Sequence, residues 1–272
     1  MEYGAIGRKR GNRPVEERDR RTLMSIETPA DWNGLRAAST VARMTLDLLE
    51  HDVWPGVTTG ELDSMAAQLL VAHGARSAPA IAYGFPRTVL ISVNDGIVHG
   101  IPGPRRIAPG DVVKLDVTVA KDGYVADAAR SVVVAPPSTT ARRLVACAES
   151  AFRAGAAVAR AGVRVNEIGR AVEREVRQWG FTVVEGLAGH GVGRSIHEPP
   201  CVPNQWDRHQ KDVLTEGLVL TIEPMISVGS SPPVQDADGW TLRTRDGSRD
   251  AHYEHTLVIT RGHPIVLTAA AA

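Results

Sequence analysis

The sequence predicts an α+β fold in which a curved antiparallel sheet is backed by four helices, with the two halves of the chain related by a pseudo-twofold axis. Three observations carry this expectation. Two stretches of helical periodicity are followed by Val-rich runs punctuated by Gly and Pro, and that order occurs twice. A shift of 106 residues lays Gly56-Val57 on Gly162-Val163, Glu61-Leu62 on Glu167-Ile168 and Gly74 on Gly180. Acidic residues stand inside the β-rich runs, so a site is expected where the halves meet.

Residues 1–22 carry seven basic side chains against four acidic ones and almost no apolar periodicity, so residues 1–25 are expected to form a flexible basic tail ahead of a single domain spanning 26–272. From Asp31, Trp32, Leu35, Ala38, Ala42, Thr45 and Leu49 recur at helical spacing until Pro55-Gly56. Thr58 with Glu61 makes a capping box for a second helix, and Gly74 stops it. Strand-like runs follow at 88–93, 111–120 and 124–135. In the second half, helices are expected at about 138–160 and 166–179, then strands at 181–189, 218–227, 239–246 and 251–260.

At 272 residues, 43% hydrophobic and 23% charged, the chain can bury a full core. Thirty-one basic and thirty-one acidic residues cancel, which argues against recruitment by DNA or a membrane surface through an overall field. The longest apolar stretch is broken by Glu149, Arg153 and Arg160, and no signal-peptide pattern follows the early RKR, so a cytoplasmic protein is expected. Cys147 and Cys201 lack metal-finger spacing and fit a reducing compartment. Cys201 follows His197 closely, as a site-adjacent thiol or an inert loop cysteine.

The acids inside strands are the strongest signal. In DVVKLDVTVAKDGYVADAARSVVV, Asp122-Gly123 is a favoured two-residue hairpin loop. Counting outward, Lys121 opposes Tyr124 and Thr118 opposes Asp127. Asp116 and Asp127 then become diagonal neighbours on one face, their backbones roughly 7 to 8 Å apart. Glu223 stands in the apolar run LVLTIEPMISV, where Pro224 disfavours helix, and Glu254 in AHYEHTLVIT. A buried unpaired carboxylate costs several kcal/mol or protonates, so a cation is its usual company. Solvent-facing aspartates that merely solubilise the hairpin are the plain alternative, which the flanking valines disfavour. Together with a histidine, these acids form a sulfur-free donor set suited to a pair of divalent ions such as Mn, Fe, Co or Zn.

Residues 185–200, EGLAGHGVGRSIHEPP, set His190 and His197 among four glycines. Taken alone the segment reads as a flexible surface loop with incidental histidines. Beside the acidic strands it reads as a strand end and tight turn whose glycines allow close backbone approach and whose imidazoles face a bound group.

The motifs VNDGIVHGIP, KLDVTVAKDGYVADAARS, GHGVGRSIHEPP, TIEPM and YEHTLVIT, in this order and spacing, resemble those of the type I methionine aminopeptidases, and the likeness runs from about Ile26 to Leu267. The resemblance implies the pita-bread fold and a peptide hydrolase that takes the initiator methionine from nascent chains with a small second residue. It further implies that Asp116 chelates one divalent ion, that Asp127 and Glu254 bridge two, and that His190 and Glu223 complete the other. Glu223 would also exchange the proton of the attacking water. His99 is implied near the scissile amide nitrogen and His197 near the carbonyl oxygen, with Phe85, Leu90, Ile196 and Trp240 about the substrate. Without the resemblance, Phe85 and Trp240 read equally well as core aromatics. A monomer, in transient contact with ribosomal RNA through a tail of net charge about +3, completes the expectation; a solubilising extension is the alternative for the tail.

The sequence departs from the family pattern in several places. Ile196 stands where Phe is frequent, His252 where Gln is, Ala128 where Thr is, and Ala82 and Leu90 where Tyr and Cys or Thr are common. These changes leave the implied ligands intact and alter the implied pocket. A proline-type aminopeptidase shares fold and ligands but is expected to carry a larger N-terminal domain. A non-enzymatic protein of this fold would be expected to have lost ligands, and a specialised paralogue would explain the altered pocket.

Overall fold

The computed structural model of the chain describes residues 24–229 and 232–269. The expected tail lies outside the described residues except for Met24, which is buried, and Ser25, which bridges to Leu218. Helix α1 (Pro29–Asp52) starts at Thr28 and α2 (Thr59–Ala72) at Thr58, each with a reciprocal capping box, the second being the one that Thr58 and Glu61 predict. Then come β1 (Arg76–Ser77), the short α3 (Ala78–Tyr83), β2 (Leu90–Val93), β3 (Gly96–Val98), β4 (Val112–Lys121) and β5 (Tyr124–Val133). In the β4–β5 hairpin Lys121 pairs with Tyr124 and Thr118 with Asp127, the register counted from Asp122-Gly123. Both loop residues adopt positive φ, 50° and 81°, as such a turn requires.

The second half opens with α4 (Thr139–Val158) and α5 (Asn166–Trp179), followed by β6 (Thr182–Val183), β7 (Ala188–Gly191) and β8 (Glu198–Pro203). It continues through β9 (Val219–Ile222), β10 (Met225–Ser227), β11 (Pro233–Gln235), β12 (Leu242–Thr244), β13 (Asp250–His252), β14 (Glu254–Val258) and β15 (Ile265–Val266). The main antiparallel sheet runs β1-β4-β5-β14-β9-β7-β8, with β2 on β4 and β15 on β14. Two three-stranded sheets, β13-β10-β6 and β11-β12-β3, flank it.

Several strands expected to be continuous are divided. The 218–227 run breaks at Glu223-Pro224 into β9 and β10, and the 251–260 run breaks at Tyr253 into β13 and β14, each leaving one sheet for another. The 181–189 run likewise splits between β6 and β7. The glycine-rich segment is a hairpin, β7 paired with β8, so Cys201 sits in a strand opposite His190 rather than in a loop. Burial holds its thiol protonated by pushing its pKa up.

Helices α1 and α2 pack Leu46, Leu49, Leu62 and Ala66 onto Ile91, Val113, Leu115 and Val117. Helices α4 and α5 pack Leu144, Cys147, Ile168 and Val172 onto Leu220, Ile222, Leu257 and Ile259. Because strand side chains alternate, residues 116 and 118 point away from the helices that cover 115 and 117. The correspondence between halves is visible in the backbone. Gly56 N–H donates to Ile107 O and Ile107 N–H to Val57 O, both at 2.8 Å; Gly162 N–H donates to Leu214 O and Leu214 N–H to Val163 O, both at 2.9 Å. The bridges Thr58–Arg106 and Arg164–Val213 follow the same offset on their first members.

Gly169 marks where α5 touches β8: a Cβ there would meet the Gln205 and Pro203 carbonyl oxygens. An exposed helical Gly→Ala change stabilises by up to about 1 kcal/mol. Gly169→Ala is instead expected to destabilise by roughly 1–3 kcal/mol, the usual cost of overpacking, measured as a lower urea midpoint with unchanged slope; an unchanged or raised midpoint would show the contact to be loose.

Candidate metal centre

Register places the acids. Asp116 on β4 faces Ala129 on β5, and Ala129 faces Glu254 on β14. In the adjoining row Thr118 faces Asp127, while Thr256 on β14 faces Thr221 on β9. The methyl of Ala129 is thus the side chain between two carboxylates, and threonines fill the places beside the third. Thr118 donates to Asp127 Oδ1 at 2.9 Å, and Thr221 Oγ1 donates to Glu223 Oε1 at 3.3 Å while accepting from His190 N–H at 3.2 Å. Thr256 holds Asp127 by its backbone, accepting from the amide at 2.9 Å and donating to the carbonyl at 2.7 Å.

Asp127, Glu223 and Glu254 are buried, and Asp116 is partly exposed. Burial, aided by the neighbouring carboxylates, pushes Asp116 and Glu254 well above the ordinary carboxylate range. Burial and Glu223 raise Asp127 to about 7, and burial raises Glu223 to about 8. His190 lies among them, its Nε2 at 3.4 Å from Glu223 Oε1 and 4.0 Å from Asp127 Oδ2. Its Nδ1 is 3.0 Å from the Gly191 carbonyl, which can only accept, so Nε2 carries the free lone pair. Burial lowers its pKa to about 3, leaving the ring neutral, the form that binds metal.

Donor atoms of Asp127, His190 and Glu254 lie within 4.8 Å of one another, as do those of Glu223, His252 and Glu254. Buried Glu254 Oε1 has no hydrogen-bond partner. Oxygen and nitrogen donors, crowded negative charge and an unpartnered carboxylate oxygen fit divalent ions. Asp116 adjoins these groups across Ala129 without belonging to either.

Of the expected substrate-facing residues, His197, His99 and Leu90 stand beside the cluster. His197 is exposed, with its ring 4.3 Å from that of His190 and its Nδ1 2.6 Å from the Tyr83 hydroxyl. His99 follows β3 with φ 59°, a left-handed conformation uncommon outside Gly, and burial with His197 and His252 nearby lowers its pKa to about 4. Phe85 and Trp240 meet edge to face at 5.2 Å. Leu90 pairs with Asp116, which puts it on the face of the acids. Ile196 packs instead into the cluster of Met24, Val192 and Val219 beneath the His197 turn.

Sequence reasoning missed Tyr83, the clamping threonines and the position of His252 between two glutamates. An aromatic run, AYGF, leading to Phe85 was the available signal for Tyr83.

Comparison with known proteins agrees with this geometry. The profile of metallopeptidase family M24 matches residues 33–261. The chain is 39% identical to methionine aminopeptidase 2 of Bacillus subtilis over 247 residues, covering 90% of this chain and 99% of that one. The structure is similar to that of a methionine aminopeptidase from Rickettsia prowazekii, with TM-score 0.87 and 34% identity over 91% of this chain and all of the other. A prolidase from Pyrococcus furiosus shares the fold at TM-score 0.75 and 22% identity, over 92% of this chain and 66% of its own.

A carboxyl whose pKa rises on folding stabilises the protein below its unfolded value and loses that contribution as pH climbs through the folded value. For Glu223 the window runs from 4.5 to about 8. Between pH 7 and 8, where unfolded histidines are already largely neutral, the thermal midpoint of chelated protein is expected to fall, and the rise produced by a saturating divalent ion to grow. Glu223→Gln should flatten both trends in differential scanning fluorimetry. An ion-induced rise that shrinks with pH would contradict the buried-carboxylate account.

Proposed function

This chain belongs to metallopeptidase family M24, and we propose that it is a divalent-metal aminopeptidase that removes the amino-terminal methionine from peptides and nascent chains whose second residue is small. The observation that carries this reading is the convergence of four carboxylates and one neutral imidazole on a single sheet face. In it, Asp116, Asp127, His190, Glu223 and Glu254 would hold two divalent ions. Co, Mn, Fe and Zn all suit these donors. The ions supply Lewis acidity to the attacking water and the scissile carbonyl.

The protein's own groups move the protons and fix the substrate. Glu223, whose burial already raises its proton affinity, accepts a proton from the attacking water at its carboxylate and passes it to the leaving amine. Tyr83 keeps its proton, since burial and Asp127 raise its pKa. By donating to His197 Nδ1 it leaves Nε2–H free to donate to the carbonyl oxygen as negative charge develops there. His99 stands by for the amide nitrogen. The free α-amine of the substrate would bind at the metal centre, which limits cleavage to the first bond. Phe85, Trp240 and Leu90 offer apolar and aromatic surface to an unbranched thioether, and Ile196 anchors the turn that carries His197.

Incubating the metal-loaded enzyme with Met-Ala-Ser, Met-Leu-Ser, Leu-Ala-Ser and an Xaa-Pro peptide tests the assignment. Release of methionine from the first, and little from the others, is expected. Preferential cleavage of the Xaa-Pro peptide would instead make this a proline-type enzyme.

His197→Ala is expected to lower kcat roughly 100-fold or more with metal content unchanged, the loss typical of one transition-state donor. Tyr83→Phe should give a smaller loss, on the order of tenfold, the worth of one orienting hydrogen bond. Both should leave KM nearly unchanged, because the contact strengthens only as the reaction proceeds. Metal loss in His197→Ala would make His197 a ligand and overturn its assignment.

A further inference from the structure

His252 is the most completely buried histidine near the cluster, 1% exposed, and neither of its ring nitrogens has a hydrogen-bond partner. A buried polar group left unsatisfied is costly, so this ring calls for a ligand. Its position is firmly set. The Ser131 hydroxyl accepts from the His252 amide at 2.9 Å and donates to the His252 carbonyl at 2.8 Å, while β13 pairs the residue with Met225, two places beyond Glu223. Nε2 lies 3.5 Å from Glu223 Oε2 and 3.9 Å from Glu254 Oε2. The Glu223 carboxylate is therefore flanked by two imidazoles, His190 Nε2 at 3.4 Å from one oxygen and His252 Nε2 at 3.5 Å from the other.

The 3.5 Å separation from Glu223 is that of neighbouring donors around one ion, and at 3.9 Å Glu254 Oε2 is near enough to share it. With metal–ligand bonds of about 2.0–2.2 Å, neighbouring donors in a tetrahedral shell stand roughly 3.3–3.6 Å apart, and in an octahedral one somewhat less. An N–H aimed at either glutamate would be expected nearer 2.7–2.9 Å from its acceptor.

We propose that His252 Nε2 is a ligand of the divalent ion shared by Glu223 and Glu254, so that the centre holds two imidazoles, His190 in the group with Asp127 and Glu254 and His252 in the group with Glu223 and Glu254. This rests on reading the cluster as a divalent-metal centre. A second nitrogen donor moves the site toward cobalt and zinc and away from manganese, which is content with oxygen.

The test loads chelated enzyme with cobalt(II) and counts the strongly shifted, solvent-exchangeable proton resonances, one for the Nδ1–H of each coordinated imidazole. Calorimetry measures the dissociation constants of cobalt and manganese alongside. Two such resonances are expected in the unsubstituted enzyme and one in His252→Gln. The variant should bind cobalt at least tenfold more weakly and manganese nearly as before. Gln can still donate an N–H to Glu223, so a variant that retains cobalt affinity within twofold would overturn ligation. A single resonance in the unsubstituted enzyme would overturn it too, and that count needs no variant to fold. If chelated enzyme takes up no cobalt at all, the metal-centre reading itself fails, and His252 ligation with it.

Discussion

Mutual repulsion among four carboxylates is the constraint on which the rest of this structure depends. Placing Asp116, Asp127, Glu223 and Glu254 on one face of a protein sheet costs free energy with every ionised group added, and burial deepens that cost. The surroundings are organised to bear it without neutralising it. Threonine hydroxyls donate to Asp127 and Glu223, and the histidines facing the cluster are held neutral by burial. A protonated imidazole in contact would quench the charge internally and remove the reason to bind an ion. The buried ammonium of Lys114 is set to one side: its Nζ donates to Asn94 O at 2.7 Å and lies 4.0 Å from Asp250. Charge compensation is thereby left to cations from outside.

Geometry is supplied by breaks in the strands as much as by the strands themselves. Glu223 sits at the gap between β9 and β10, and Glu254 begins β14 just after Tyr253 interrupts β13. At the first gap the chain passes from the main sheet to the smaller β13-β10-β6 sheet, and at the second it returns. A carboxylate at such a junction reaches into the space between sheets, whereas one in mid-strand can only stand perpendicular to its own sheet. Ser131 on β5 spans the seam to His252 on β13, and Thr256 ties β14 to Asp127 on β5 within the main sheet, each accepting from and donating to a single residue's backbone. Seams held by side-chain hydroxyls keep rigid what the interrupted ladder cannot.

The parts of this arrangement legible in the sequence are those decided locally. The Asp122-Gly123 turn sets its own register, so Thr118 opposite Asp127 follows by counting, and capping boxes mark helix starts within three residues. The strand breaks were not legible. Val, Ile and Thr around Glu223, and Thr256 and Val258 after Tyr253, have the same β-propensity whichever sheet they join, and the choice is made by partners distant in sequence. Short strands such as β1, β3 and β15 and the single turn of α3 escaped for the same reason. His252 was legible only as a departure from the family pattern, because nothing local distinguishes an imidazole between two glutamates from one in a core; only the convergence of β10, β13 and β14 does so.

The duplication explains why the site can be at once acidic and rigid. Each half closes a helix entry with the same paired backbone hydrogen bonds, Gly56 and Val57 to Ile107, Gly162 and Val163 to Leu214. Each also covers its own strands with its own helix pair. Two cores stabilised separately can meet along β5 and β14, and the cluster is built across that junction, with Asp116 and Asp127 from the first half and His190, Glu223 and Glu254 from the second. Strain from the crowded charges then falls on the junction and leaves neither hydrophobic core carrying it. A divalent ion drawing ligands from both halves would fasten the two where their like charges push them apart, so the repulsion that makes the junction costly when empty also draws a cation into it.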